Sequence, residues 1–225
     1  MGKLYNILKH IVRPFLRVKN IAYAEPLGDE PVVFLANHLG AVGPMYMAVT
    51  FPLRDQVAIW CNEGMMDEKL IVDYVRQDWW WKPESRLAPL YSATIPYVAK
   101  LICPPVLRSA PTIPVYRDAR IMTTMRSSLK ALKEGRHIVI FPQLPDGFDS
   151  HAENLQMGWL NLTAMYYKAT GKRLKLVPVH IDQKTKFFQV GKAITADPDV
   201  PLKEQEQAIE RYLAAGLRGQ PLQGE

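Results

Sequence analysis

Apolar residues recur near the start of the chain at Leu4, Leu8, Ile11 and Phe15, with Ile7, Val12 and Leu16 beside them. Lys3, Lys9, His10, Arg13 and Arg17 are interleaved. That spacing predicts a basic amphipathic helix over 4–16, interrupted at Pro14 because proline lacks an N–H and crowds the preceding turn. Such a helix either packs its apolar stripe on the domain or lies on a membrane surface. Further on, 18–24 alternates as a strand, and the run Val32-Val33-Phe34-Leu35-Ala36 reads as a strand buried on both faces. The same patterns predict strands at 56–61, 137–141, 175–181 and 186–190. They predict helices over 44–50, 67–76, 119–134, 155–170 and 201–217. Gly135 and Gly171 stop two of these helices, and Asp199 stands near the cap of the last.

Strands alternating with helices predict an α/β fold: a largely parallel or mixed central sheet flanked by helices, preceded by the basic amphipathic helix. The organisation expected is an arm over 1–17, one domain over 18–217 and a frayed tail over 218–225. The apolar segment 95–107 is interrupted by Lys100 and prolines, so a membrane-spanning helix is not expected there. With Trp79, Trp80, Trp81 and Tyr91 it reads as an interfacial patch, a buried aromatic cluster or a lid. The start of the chain misses the myristoylation pattern, with Asn6 where Ser or Thr is required, and it is expected to stay on the protein.

Composition narrows this only a little. At 225 residues, with 48% hydrophobic and 22% charged, the chain fits one globular domain. A formal net charge of +6 favours anionic surfaces or substrates. Nucleic acid is not the expected partner: the basic residues are spread rather than striped, and no DNA- or RNA-binding motif is present. Cys61 and Cys103 are too few for a disulfide framework and lack metal-ligand spacing, so they read as buried thiols. No metal site is expected.

In open α/β sheets, chemistry gathers at the carboxyl ends of strands. Asn37-His38, Phe141-Pro142-Gln143 and Ile113-Pro114-Val115-Tyr116-Arg117 all fall at such ends. A lone histidine there is structural as readily as catalytic, and Arg117 could simply pair with Asp118. The blocks gain meaning in order. Phe34-Leu35-Ala36-Asn37-His38, the stretch from Ile113 to Arg117, Ile138-Val139-Ile140-Phe141-Pro142 and Leu176-Val177-Pro178-Val179-His180 together resemble the four-block pattern of the 1-acylglycerol-3-phosphate acyltransferase family. Leu155-Gln156-Met157-Gly158 after the third block fits as well, so the resemblance covers roughly residues 1 to 195.

The resemblance implies a glycerol-phosphate acyltransferase-like fold and an O-acyltransferase that moves a fatty acyl group from a thioester to a lipid-like hydroxyl. Acyl-CoA or acyl carrier protein would be the co-substrate, with no other cofactor. His38 would be the general base, and Arg117 would bind the acceptor, with Asn37, Phe141, Pro142, Gln143 and Asp146 shaping the acceptor site. The setting implied is peripheral, on the cytoplasmic side of a membrane.

The sequence departs from that pattern. The family places four residues and then an aspartate after the histidine, where this chain has Gly43. Its Phe-Pro-Glu-Gly block becomes Phe141-Pro142-Gln143-Leu144, and the basic position downstream becomes Asp146. A carboxylate in place of an arginine repels a phosphate, so a phosphate acceptor is disfavoured. Asp146, Asp149 and Glu63 are candidates to replace the missing aspartate through space. The alternative function is a catalytically impaired module of the same fold that binds acyl lipids or membrane surfaces.

Overall fold

The computed structural model describes residues 2–16, 18–40, 42–77, 80–143 and 155–220. The chain runs α1 (Lys3–Val12), β1 (Asn20–Tyr23), β2 (Val32–Ala36), α2 (Val42–Val49), β3 (Val57–Asn62), a 3-10 turn at Glu63–Met65, then α3 (Ile71–Gln77) and α4 (Ala88–Ser109). It continues with β4 (Thr112–Val115), α5 (Ile121–Lys133), β5 (His137–Ile140), a second 3-10 turn at Gly158–Leu160 and α6 (Asn161–Thr170). The last elements are β6 (Lys175–Asp182), β7 (Phe187–Val190), β8 (Ile194–Thr195) and α7 (Leu202–Leu217).

Eight strands form one mixed sheet in the order β1-β7-β6-β2-β5-β3-β4, with β8 pairing β6. The segment β6-β2-β5-β3-β4 is parallel throughout, whereas β7 and β8 run antiparallel to β6. β2 is central and fully buried because helices cover both faces of the sheet. Its alternate residues serve two cores. Val33 and Leu35 join a core with α5, α6 and α7, while Phe34 and Ala36 join another with α2 and Phe51.

The prolines within strands sit where a strand can lack an N–H partner. Pro114 lies on β4 at the sheet edge. Pro178 lies inside β6 where its antiparallel partner changes, from β8 at Lys175 and Leu176 to β7 from Val179 onward.

Several expectations need correction. α1 ends at Val12, two residues before Pro14; Arg13 is still helical and donates to the Lys9 carbonyl, but Pro14 has no N–H with which to extend the ladder. The long segment taken as broken by its prolines is the longest helix, α4, with Pro96, Pro104 and Pro105 inside it. It is long and apolar enough, by length and composition, to cross a membrane. The helix expected from 155 begins only at the turn Gly158–Leu160, because Leu155 is drawn into a β-bridge with Gln143. Asp199 does not cap α7, whose N-cap is Pro201 without a side-chain bond. Gly219 is not frayed: its backbone lies against His180, where an added Cβ would come within 2.8 Å of the ring.

Candidate functional site

Because β2, β5, β3 and β4 are parallel neighbours, their carboxyl ends line one edge of the sheet. This topology gathers Asn37-His38, Phe141-Pro142-Gln143, Asn62-Glu63 and Tyr116-Arg117, which are far apart in sequence. With strands roughly 4.8 Å apart, three spacings separate the β2 end from the β4 end, or roughly 14 Å.

The β2/β5/β6 part of this edge is tied by buried neutral hydrogen bonds. Asn37 is 7% exposed. Its Nδ2 donates to the Ile181 carbonyl at 3.1 Å, and its Oδ1 accepts from the Ile181 N–H at 2.6 Å. The side chain thereby continues the β2–β6 ladder beyond the last strand residue, so both amide functions are engaged in holding the backbone. His38 is half-buried, and its backbone N–H donates a short hydrogen bond to Gln143 Oε1. The His38 and Phe141 rings meet edge to face at 5.6 Å between centroids.

Gln143 is buried and also pairs through its backbone with Leu155, while the Pro142 carbonyl accepts from Gln156 N–H at 2.8 Å. The third block is thus clamped between the His38 loop and the segment leading to α6. Gly43, on the first turn of α2, completes this wall. A Cβ at that position would stand 3.4 Å from the Asn37 carbonyl oxygen and 3.5 Å from Phe141 Cε1, which is ordinary to close contact.

The β3/β4 part is charged and open. Arg117 is exposed, and no described residue pairs with it. Its neighbour Asp118 pairs instead with Arg120, at 2.7 Å from Nη2, so the expected Arg117–Asp118 pair does not form. Arg120 also reaches Glu63 at 2.9 Å and stacks over the Tyr116 ring at 4.4 Å. The Arg120 side chain and backbone N–H together hold the Asp118 carboxyl below its ordinary pKa. Asp118 also sits against the start of α5, accepting from Arg120 N–H at Oδ1 and from Ile121 N–H at its carbonyl. The positive end of that helix therefore already faces a carboxylate.

Of the carboxylates considered as replacements for the missing aspartate, Glu63 is engaged by Arg120. Asp146 and Asp149 lie outside the described residues, as does Leu144. The Asp118-x-Arg120 turn ahead of α5 went unnoticed as a site element. Its signal was an acid and a base two residues apart at a helix start, a spacing common on surfaces.

Burial pushes the Cys61 thiol up to about 12, with Cys103 contributing, so it stays protonated and offers no nucleophile. Among the described residues no cluster of three or more His, Cys, Asp or Glu could hold a metal ion. A cavity of about 740 Å³ opens at the opposite edge of the sheet, on Tyr23, Glu25, Gln56 and His137 among others. His137 there is buried, accepts from Val32 N–H at 3.2 Å and has its pKa lowered by desolvation, which keeps it neutral.

No protein-family model matches the sequence, and no curated protein matches it. A solved structure does. The crystal structure of the 1-acyl-sn-glycerophosphate (LPA) acyltransferase PlsC from Thermotoga maritima superposes with a TM-score of 0.52 over 96% of this chain and 78% of that one, at 12% identity. The two chains share a fold. The α/β architecture with a mixed central sheet flanked by helices is that of the acyltransferase, and at this identity the likeness extends to the fold alone.

Proposed function

We propose that this protein is an O-acyltransferase of altered active site, working peripherally on the cytoplasmic side of a membrane. It transfers a fatty acyl group from an acyl-CoA or acyl carrier protein thioester to a lipid-like hydroxyl. The observation that carries this reading is the placement of His38, Phe141 and Arg117 along one sheet edge, in an acyltransferase fold, with the His38 loop anchored by Gln143.

In this reading the acceptor hydroxyl gives its proton to a ring nitrogen of His38 as its oxygen attacks the thioester carbonyl. The tetrahedral intermediate collapses, the thiolate leaves, and the proton passes from the imidazolium to the sulfur. Asn37 positions the loop by holding Ile181 rather than touching substrate. Phe141 packs one edge of the imidazole, and Pro142 and Gln143 belong to the acceptor wall. Arg117 meets a polar or anionic part of a ligand about 14 Å along the edge from the reacting group, by the strand spacing. Asp118 at the start of α5 disfavours a phosphate at that end, so the acceptor is an alcohol with a weakly charged headgroup.

The missing aspartate sets the expected rate. Gly43 stands where the motif aspartate would orient the imidazole, and replacing the equivalent Asp of the serine protease triad lowers turnover by about 10⁴-fold, so slow transfer is expected. Purified protein incubated with labelled acyl-CoA and an alcohol panel gives slow transfer that disappears in His38→Ala. Gly43→Asp, whose Cβ the site accommodates, raises it. Equal rates in wild type and His38→Ala would remove the assignment.

The glycine itself favours a second reading, in which the chain binds acyl lipids without turning them over. Native mass spectrometry showing retained acyl ligand, with no transfer in any variant including Gly43→Asp, would select it.

A further inference from the structure

Only part of the apolar stripe predicted near the start of the chain faces the domain: Leu8 and Val12 are half-buried, and Leu16 packs against the core that holds Phe34. Tyr5 points inward, buried, and donates its hydroxyl to the Ala48 carbonyl at 2.8 Å. Leu4, Ile7 and Ile11 are 44–59% exposed on the other side, and Phe15, in the turn just past the helix, is 78% exposed. α4 repeats the arrangement. Pro96 and Ala99 are buried on its inner side, and Ala99 packs against Ile71 and Val75 of α3. Leu90, Tyr97, Val98 and Leu101 fall on one outward face and are 55–78% exposed. Trp80 and Trp81 pack beside α3 as part of that small core, so the exposed patch belongs to the helix and not to these two rings; Trp79 lies outside the described residues.

The two helices are bolted together. Gly2 N–H donates to the Ser109 carbonyl at 2.8 Å, and Tyr5 N–H donates to Ser109 Oγ at 3.1 Å. An added Cβ at Gly2 would come within 2.7 Å of Ser109 Cβ, so glycine is what permits this approach. Charge on the pair has one sign: neither α1 nor α4 contains an acidic residue, and the chain has none before Glu25. Lys9 is neutralised by Asp55 and Arg108 by Glu68, leaving Lys3, Arg13 and Lys100 exposed.

Exposed apolar side chains flanked by unneutralised cations on two fastened helices are complementary to an anionic bilayer surface. A second copy of the chain would set like charges against each other. We infer that α1 and α4 form one rigid platform that docks onto anionic lipid, with α4 lying in the interfacial plane. α4 does not cross the bilayer, because its inner face is occupied by α3 and its C-terminal end by α1. This deepens the membrane-surface reading by naming the docking face and its lipid class, and it rests on that reading only for the place where an acceptor would be met.

The test is flotation of the full chain with phosphatidylcholine vesicles, with and without phosphatidylglycerol. Wild type floats with the anionic vesicles. Val98→Asp combined with Leu101→Asp lowers the bound fraction at least about tenfold, and Lys100→Glu or Arg13→Glu lowers it about fivefold each, the factor expected for one basic residue near such a surface. All these positions are exposed, so the thermal midpoint stays unchanged, which separates lost docking from lost folding. Equal flotation of wild type and the double variant overturns the proposal, as does a wild-type dimer on size exclusion that the double variant abolishes. Acyl transfer to a water-soluble short-chain alcohol is measured in parallel. Docking can fail while transfer persists, or transfer can fail while docking persists, so the two readings fall separately.

Discussion

The two halves of the carboxyl edge are built from opposite materials. Around β2, β5 and β6 the side chains are neutral and largely buried: Asn37 grips the Ile181 backbone from both sides, and Gln143 accepts from His38 N–H. Around β3 and β4 they are charged and open: Arg120 links Glu63 and Asp118, while Arg117 projects unpaired by any described residue. Buried neutral bonds have few alternatives and set positions tightly, because breaking one leaves a polar group without water. Exposed charges adapt to whatever arrives and lose much of their strength to solvent. The first half suits a reacting group that must hold still, and the second suits the recognition of a ligand's polar end.

The comparison can be broken most sharply at His38. His38→Ala is expected to cut acyl transfer by about 10²–10⁴-fold with little change in the unfolding midpoint, since removing a general base costs that much. A comparable loss of stability would move His38 from chemistry to structure. Asn37→Ala comes next. It strands the buried Ile181 N–H and C=O together, at about 1–3 kcal/mol for each unsatisfied group, and urea titration should show destabilisation of about 2–6 kcal/mol.

Gln143→Leu and Gln143→Glu sharpen the neutral half further. The leucine removes the acceptor for His38 N–H, at about 1–3 kcal/mol, while the glutamate keeps an acceptor oxygen and should cost clearly less. Equal losses in the two variants would mean that packing, not the hydrogen bond, holds the loop. The smallest effect belongs to the open half. Asp118 has a folded-state pKa below its ordinary value, so its contribution is present above the unfolded carboxylate pKa near 4 and fades as pH falls through the depressed value. Asp118 is fully exposed, so the acid limb of a stability–pH curve for Asp118→Asn should nearly overlay that of wild type; a large separation would show that the charged half is structural too.

Much of the fold was legible from pattern alone. The strand Val32–Ala36 was read with both its boundaries, because an uninterrupted apolar run is what a strand covered on both faces requires. α5 was read to within two residues at its start and one at its end, because its stripe is regular and Gly135 takes a positive φ just past it. α4 was not read, since three prolines argue locally against helix. Packing on α3 and anchorage to α1 outweigh that local preference, and neither partner is visible within a short window of sequence.

For the site, residue order along the chain was enough to nominate Asn37, His38, Arg117 and the third block, because parallel strands deliver their carboxyl ends to one edge wherever they stand in the sheet. What each side chain does there was decided only by folding. The strand order β2-β5-β3-β4 places Gln143 against a loop 105 residues earlier and gives Asp118 to Arg120 instead of Arg117. The same holds for α1, whose stripe was plain in the sequence but whose partly outward direction follows from Tyr5 and Gly2 finding Ala48 and Ser109. Periodicity is written into neighbouring residues and is sensed locally. The partner of a hydrogen-bonding or charged group is chosen among residues distant in sequence, by the competition for burial and satisfaction that only the assembled chain resolves.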